Sequence, residues 1–314
     1  FLHDTSEAWV GVEMDGTVVV RSGVTDIGAG QASALRQIAA EVLGVTLNNV
    51  VVYNSDSAVT PLAGTTTATR ALYMTGNAAK LAAEGVRARL AARAGREFGV
   101  AAEQVDFADN RVFVADDPAR SLALVDLVRI CAADGIHRSE LAMFRAPFSD
   151  PLDAATGQGQ AHPDYVFGAH AIEVAVDVET GEVTVLKSIA AHDVGQCVNR
   201  AAVEGQIEGG TQNGQGFALC EEMLYHEGRL VTPSFSEYLM PTSMDMPKVQ
   251  SIILESRSGV GPFGAKGIGE PALTPAAPAV ASAVSDAIGV PIHELPITPE
   301  RVLAALKKRD GLLR

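Results

Sequence analysis

The sequence predicts an α+β fold of two lobes built from mixed sheets and helices. Three observations carry this expectation. Hairpin and helix patterns follow one another in mixed order, without the regular βαβ repetition of a doubly wound parallel sheet. The 314 residues suit roughly two domains at ~150 residues each. A loop-like stretch carrying Pro147, Pro151, Gly157, Gly159 and Pro163 interrupts the periodic patterns. We therefore expect a first lobe over 1–132, a connecting loop region over 133–168 and a second lobe over 169–314. There is no internal repeat of fixed short period.

The elements follow in chain order. Trp9-Val10-Gly11-Val12-Glu13-Met14 and Thr17-Val18-Val19-Val20 flank Asp15-Gly16, a type I′ hairpin signal. Leu35, Ile38, Ala39, Val42 and Leu43 recur at helical spacing, predicting a helix from about Ala32 to Leu43 that stops at Gly44. Val50 to Tyr53 reads as a strand. Residues 72–94 read as a long Ala-rich helix with Gly76 and Gly85 as weak points. Gly157-Gln158-Gly159-Gln160 reads as a polar surface loop. Ile172 to Val178 and Val183 to Leu186 flank Thr180-Gly181 as a second hairpin, and a helix is expected from about Ala201 to Met223. Thr274-Pro275 and Thr298-Pro299 each put a capping hydroxyl before a proline at a first helical position. Val280, Val284 and Ile288 mark the buried face of the first of these two helices.

Composition bounds the function. At 47% hydrophobic and 20% charged residues, the chain has ample apolar surface for a core. A net charge of −14 argues against non-specific nucleic-acid binding and against docking on an anionic membrane. Cys131, Cys197 and Cys220 are too few for a disulfide framework, a zinc ribbon or a Cys₄ iron–sulfur cluster within this chain. No apolar run approaches the ~18 residues of a membrane span, and no signal peptide is visible. The sequence opens at Phe1 rather than Met, so residues upstream of it are expected. An acidic, soluble, cytoplasmic protein is the expected class. The histidines (3, 137, 162, 170, 192, 226, 293) lack close ligand spacing, and neither a Gly-x-Ser-x-Gly elbow nor a full P-loop occurs.

Four segments can carry chemistry. In Gly23 to Gln31, Gly28 and Gly30 allow close approach, and the N–H groups of the following helix can hold an anion such as phosphate. A dinucleotide fingerprint is one reading, although Ser33 stands where a third glycine belongs; a tight turn into a helix is the other. Ala63-Gly64-Thr65-Thr66-Thr67-Ala68-Thr69-Arg70 offers four hydroxyls and a cation to an anionic or oxo-rich ligand, but composition alone favours a helix N-cap with a surface arginine. In Glu204 to Gly216, each helical glycine costs ~1 kcal/mol against alanine. Close approach of another helix, or of a large ligand, would compensate, with Gln206 as the amide for a heterocycle. In Gly259 to Pro271, five glycines precede one carboxylate, Glu270. In a closed, water-poor pocket that carboxylate would be pushed up toward the range of a general base; an exposed loop glutamate is the plain alternative. The glycine density favours function.

Taken in this order, the segments resemble the molybdenum hydroxylases, the xanthine dehydrogenase and aldehyde oxidase family. The resemblance covers nearly the whole chain but only the C-terminal half of the family's molybdenum-binding subunit. Lys266-Gly267-Ile268-Gly269-Glu270-Pro271 resembles the Gly-x-Gly-Glu-Pro signature, which implies that Glu270 is the catalytic base and Gly269 lies at the cofactor. Gly205-Gln206-Ile207-Glu208-Gly209 resembles the segment whose glutamine contacts the pterin, implying Gln206. Thr67, Ala68, Thr69 and Arg70 match the loop beside the metal's oxo and sulfido ligands. Gly28-Ala29-Gly30 resembles the Gly-Gln-Gly that meets the cofactor; Ala29 replaces its glutamine, and Gln31 is the candidate substitute.

The resemblance implies a molybdopterin-binding domain fold and a molybdopterin cofactor, with or without a cytosine dinucleotide extension, and no protein side chain as metal ligand. It implies a second molybdopterin subunit carrying the N-terminal half, an iron–sulfur subunit and a flavin subunit with FAD, as in split enzymes such as nicotinate dehydrogenase, whose medium subunit this chain resembles. The implied reaction is hydroxylation of an electron-poor carbon of a nicotinate- or purine-like N-heteroaromatic, with water as the oxygen source. Aldehyde oxidation, a non-catalytic assembly role and an NAD-binding dehydrogenase built on Gly28-Ala29-Gly30 are the alternatives.

Overall fold

The computed structural model describes residues 4–147 and 152–311, so His3 and Pro151 lie outside the described residues. The chain forms two units. One comprises Phe1–Tyr165, Gly195–Asn199 and Arg257–Gly267; the other comprises Val166–Val194, Arg200–Ser256 and Ile268–Arg314. The division is thus not a single cut at 133–168, because two later segments return to the first unit.

In the first unit, β1 (Thr5–Val12) and β2 (Val18–Ser22) pair antiparallel. Their link is not type I′. Gly16 N–H donates to Glu13 O (2.9 Å), Glu13 N–H donates to Thr17 O (2.8 Å), and Gly16 takes φ 87°. This is a three-residue loop, a type I turn closed by a left-handed glycine; Asp15 favours it by accepting from Thr17 N–H at 2.9 Å. Helix α1 (Gln31–Leu43) ends at Gly44, and β3 (Val50–Asn54) runs parallel to β2. Helix α2 (Arg70–Phe98) exceeds the expected 72–94 at both ends. Its buried alanine stripe starts at Ala71 and continues to Ala94, and left-handed Gly99 stops it. Gly76 and Gly85 are contact points. A Cβ at 76 would meet Pro262 and Ile38, and one at 85 would meet Glu140.

The three short strands β4 (Val105–Ala108), β5 (Arg111–Val114) and β6 (Asp117–Ala123) form their own sheet, followed by α3 (Leu124–Ala133). Within the stretch expected to be loop lies β7 (Ser139–Arg145), which pairs antiparallel with β1 and sets Leu141 opposite Trp9. Its partner is far away in sequence, so no local pattern announces it. The sheet order is β3-β2-β1-β7, with α1 and α2 packed against it. Val10, Val20, Leu35, Leu43, Val86 and Leu90 build the core, each worth roughly 1.5–3 kcal/mol of burial.

In the second unit, β8 (Gly168–Val176) and β9 (Val183–Asp193) form the expected hairpin, and β12 (Val249–Leu254) joins β9 in parallel. Between them come α4 (Arg200–Leu219) and the two-residue strands β10 (Tyr225–His226) and β11 (Arg229–Leu230). Helix α4 stops before the expected Met223. Cys220 and Glu221 N–H both donate to Gly216 O (3.0 and 2.8 Å), and the Glu221 carboxylate folds into the space beside Gly216. Helix α5 (Ala276–Ile288) begins without a capping bond from Thr274, because turns from Glu270 to Ala276 lead into it and Pro275 holds the cap position. Helix α6 (Pro299–Arg309) is capped as expected: Thr298 Oγ1 accepts from Arg301 N–H at 3.4 Å. Val280, Val284, Ile288, Ile297, Val302 and Leu306 form this unit's core.

Candidate cofactor-binding and active site

The first glycine segment is shaped by Asp26. Gly28 (φ 110°) and Gly30 (φ 81°) are left-handed, which is why glycine stands at both. Asp26 Oδ1 accepts from Gly28 N–H (3.0 Å) and Gly30 N–H (3.2 Å), and its Oδ2 accepts from Ala32 N–H (3.2 Å). The anion position at the α1 N-terminus is filled by the chain's own carboxylate. That corrects the phosphate-binding and dinucleotide readings of this segment. Two features remain available: open space beside Gly28, and Gln31 Oε1, which is buried without a hydrogen-bond partner.

The threonine segment interlocks with the first. Gly23 N–H donates to Pro61 O (2.9 Å), and Thr66 Oγ1 donates to Thr25 O (2.7 Å). Ala68 (φ 50°) and Thr69 (φ 56°) are left-handed without being glycine, at roughly 1–3 kcal/mol each. Thr69 occupies the N-cap of α2 but its side chain makes no capping bond, so cap chemistry does not explain the threonines. Arg70 is buried. Its Nε and Nη2 grip Asp4 in a bidentate pair (2.6 and 2.8 Å), Nη1 donates to Ala63 O (3.1 Å) and Thr65 O (2.7 Å), and Nη2 also reaches Thr5 O (3.3 Å). The expected cation for a ligand is therefore spent inside the protein, where it fixes the loop.

The loop 257–267 is packed against the same place. A Cβ on Gly267 would stand 2.3 Å from Thr69 Cγ2, and Cβ atoms on Gly259, Gly261 and Gly264 would strike backbone carbonyls of the same loop. Buried Lys266 donates to Tyr165 O (3.0 Å) and lies 3.9 Å from Asp164 Oδ1; Asp164 Oδ2 accepts from Val260 N–H (3.1 Å). These glycines thus have a packing cause, which corrects the inference from glycine density alone. Nearby, burial and the charges of Asp164 and Asp4 push the Tyr73 phenol up to about 12, and its hydroxyl is buried without a partner.

In the second unit the close-packing reading of α4 accounts for one glycine pair, and the other pair is left open. Gly210 and Gly214 let Ala272 and Ala276 approach; their Cβ atoms would stand 2.7 and 2.3 Å from those side chains. Gly205 and Gly209 face open space. The Gln206 amide has no hydrogen-bond partner among the described residues. Gly269 and Glu270 are exposed, and Glu270 O accepts from Leu273 N–H (3.0 Å). Gly28, Ala29, Gly30, Gln31, Thr67, Ala68, Thr69 and Arg70 belong to the first unit, and Gln206, Gly269 and Glu270 to the second.

The groups left available are neutral amides and open backbone at glycines, while Asp26 and Arg70 are internally paired. In each unit taken by itself, neutral amides and open backbone of this kind suit hydrogen bonds to a pterin heterocycle. No cluster of three His, Cys, Asp or Glu side chains able to hold a metal occurs among the described residues. Nor is any helix there long and apolar enough to cross a membrane.

Sequence reasoning passed over Asp26, although an aspartate two residues before a glycine is an Asx-turn signal. It also missed a histidine pair across β8 and β9, with His192 buried and His170 half-buried. His170 Nε2 and His192 Nε2 lie 2.8 Å apart, 22 residues apart in the chain. Burial and the neighbouring His192 lower His170 to about 4, and burial lowers His192.

Residues 1–247 match the molybdopterin cofactor-binding domain family. The chain is 31% identical to the putative xanthine dehydrogenase molybdenum-binding subunit XdhA of Escherichia coli (strain K12), over 95% of this chain and 40% of that protein. It is 32% identical to the nicotine 6-hydroxylase large subunit of Paenarthrobacter nicotinovorans, over 97% of this chain and 37% of that protein. Its fold matches the crystal structure of quinoline 2-oxidoreductase from Pseudomonas putida 86 with a TM-score of 0.86 and 32% identity, over 97% of this chain and 38% of that one. The chain therefore spans about two fifths of the length of the relatives it matches. It belongs to the molybdopterin cofactor-binding domain family, the molybdopterin-binding portion of molybdenum hydroxylases of the xanthine dehydrogenase and aldehyde oxidoreductase type.

Proposed function

We propose that this chain is the molybdopterin-binding part of a multi-subunit molybdenum hydroxylase acting on an electron-poor carbon of a nicotinate- or purine-like N-heteroaromatic, with water as the oxygen source. The observation that carries this is the pairing pattern at the site. Gln31 Oε1 and the Gln206 amide are left without partners, while the charged groups of the same segments are neutralised internally. Two relatives named for nicotine and quinoline support the heteroaromatic class.

When bound, the molybdenum centre supplies a Lewis acid and a two-electron acceptor. In the second unit the Gln206 amide would hold a pterin's polar edge, and Gly205 and Gly209 would let its ring approach the backbone; in the first unit Gln31 and Gly28 would offer contacts of the same kind. The Arg70–Asp4 pair and Gly267 keep the loop of Thr67, Ala68 and Thr69 in its left-handed form beside the cofactor. Glu270 takes, on its carboxylate, the proton that the attacking water must lose. General-base catalysis of this kind is worth about 10²–10⁴-fold. The remaining part of the molybdenum subunit would cover Glu270 and exclude water, and iron–sulfur clusters and FAD on partner subunits would supply the path for the electrons. Whether the pterin carries a cytosine dinucleotide is a question for mass analysis of the released cofactor.

Glu270→Gln in the metallated holoenzyme tests the assignment. Molybdenum content stays at the wild-type level and turnover falls at least about 100-fold. Near-normal turnover in a fully metallated variant contradicts it and supports the rival reading, a non-catalytic assembly subunit. The exposure of Glu270 in this chain is the observation in that reading's favour. An aldehyde-oxidising enzyme would share the base and differ only in the substrate turned over.

A further inference from the structure

Residues 223–244 of the second unit are held in place by polar bonds but bury little of what they carry. Helix α4 anchors the segment's far end, with Gln212 Nε2 donating to Pro241 O (2.8 Å) and Gln215 Nε2 donating to Asp245 O (3.0 Å). The Tyr238 hydroxyl donates to Glu221 Oε2 (2.7 Å), and Val231 N–H donates to Leu224 O (2.8 Å). On this fixed backbone Met223, Tyr225, Leu239 and Met240 are exposed, Phe235 is 78% exposed and Met244 is 89% exposed. None of them joins the unit's apolar core, which the end of α4, α5, α6 with Ile297 before it, and the strands build. Met223, Leu230, Pro233, Phe235 and Tyr238 also line a cleft of about 460 Å³.

Soluble proteins rarely expose a contiguous apolar patch of more than a few hundred Å² unless something docks there. Phe, Tyr and Met are the residues enriched at the centre of such interfaces, and Met adapts to an irregular partner. The relatives align over 95–97% of this chain, so the aligned region is continued there by roughly three fifths more of the molybdenum subunit. The cleft that Met223, Leu230, Pro233, Phe235 and Tyr238 share, with further exposed apolar side chains on the same segment, is the kind of surface that such additional mass would cover.

We infer that residues 223–244 dock the remaining part of the molybdenum subunit, whose apolar side chains fill the cleft beside Phe235. This rests on the function proposed above. The test uses the holoenzyme complex carrying Phe235→Asp with Met244→Asp, and as a control Leu186→Asp, which alters an exposed apolar position on β9. Partner content is read by native mass spectrometry, and backbone hydrogen exchange of 223–244 is read on the wild-type complex and on the isolated 314-residue chain.

The expected result has three parts. A polypeptide aligning with the unmatched three fifths of the relatives accompanies the wild type. It falls at least tenfold in the double variant and is retained in the control, at unchanged melting temperature. Residues 223–244 exchange more slowly in the complex than in the isolated chain. If the double variant does not fold, the exchange measurement decides alone. Wild-type partner content in the folded double variant, equal exchange in both states, or loss of self-association in place of the partner overturns the docking surface. If the wild type brings no such polypeptide, the functional reading fails first and the docking surface with it. Where the remaining part lies on the same polypeptide, slower exchange in the longer chain is the same readout.

Discussion

Helix α4 contains two glycine pairs with opposite meanings. Gly210 and Gly214 are filled, since Ala272 and Ala276 sit where their side chains would be. Gly205 and Gly209, one turn earlier, face open space with the unpaired amide of Gln206 between them. The first pair is explained by helix packing within the protein. The second leaves a helix weakened by roughly 1 kcal/mol per glycine with no internal compensation, and it is here that the proposed function seats the cofactor. The loop 257–267 belongs with the first pair: its glycines, too, are filled by neighbouring atoms. Glycine density in a sequence therefore mixes two causes, and only open glycines bear on binding.

Substitutions separate these causes. The largest effect is expected for Gly214→Val, which forces a Cβ to 2.3 Å from Ala276 Cβ. It should destabilise the second unit by about 3 kcal/mol or more, read from denaturant midpoints. Tolerance of valine there would show that α4 and α5 are not tightly packed.

A filled site of another kind is the His170–His192 pair. Burial and the neighbouring His192 lower His170 to about 4 in the folded chain, against the ordinary imidazole value of about 6.5 when unfolded. Between those values the unfolded state binds more protons, so stability is full above about 6.5 and falls as pH drops toward about 4. The loss is on the order of 2 kcal/mol once solvent screening is allowed for. Thermal unfolding between pH 7 and 4.5 checks this, and a flat profile would mean that the pair is hydrated.

Asp26→Ala should cost about 1 kcal/mol by leaving the N–H groups of Gly28, Gly30 and Ala32 without their acceptor. Faster hydrogen exchange at these three amides, with the core of α1 unchanged, is the signature.

What could be read from the sequence was local. The hairpin around Asp15-Gly16, the Gly44 stop of α1 and the Thr298 cap of α6 each depend on residues within a few positions. Strand β7 could not be read, because its alternation gains meaning only through β1, more than a hundred residues earlier. The histidine pair was hidden for the same reason. At the candidate site the four segments stood out by composition, but their internal pairing did not. Arg70 looks like a ligand's cation until Asp4 is found against it, and the α1 N-terminus looks like an anion site until Asp26 is found in it. Neither side-chain direction nor the identity of the filling atom is written in spacing.

The claim on which the functional reading turns is that the open face of α4 receives the pterin. Gly205→Leu combined with Gly209→Leu tests it in the holoenzyme, by measuring bound pterin and molybdenum per chain alongside the melting temperature. The prediction is a protein at least as stable as the wild type, since leucine favours the helix by about 1 kcal/mol over glycine, with cofactor content reduced at least tenfold. Wild-type cofactor content in a folded double variant would contradict it.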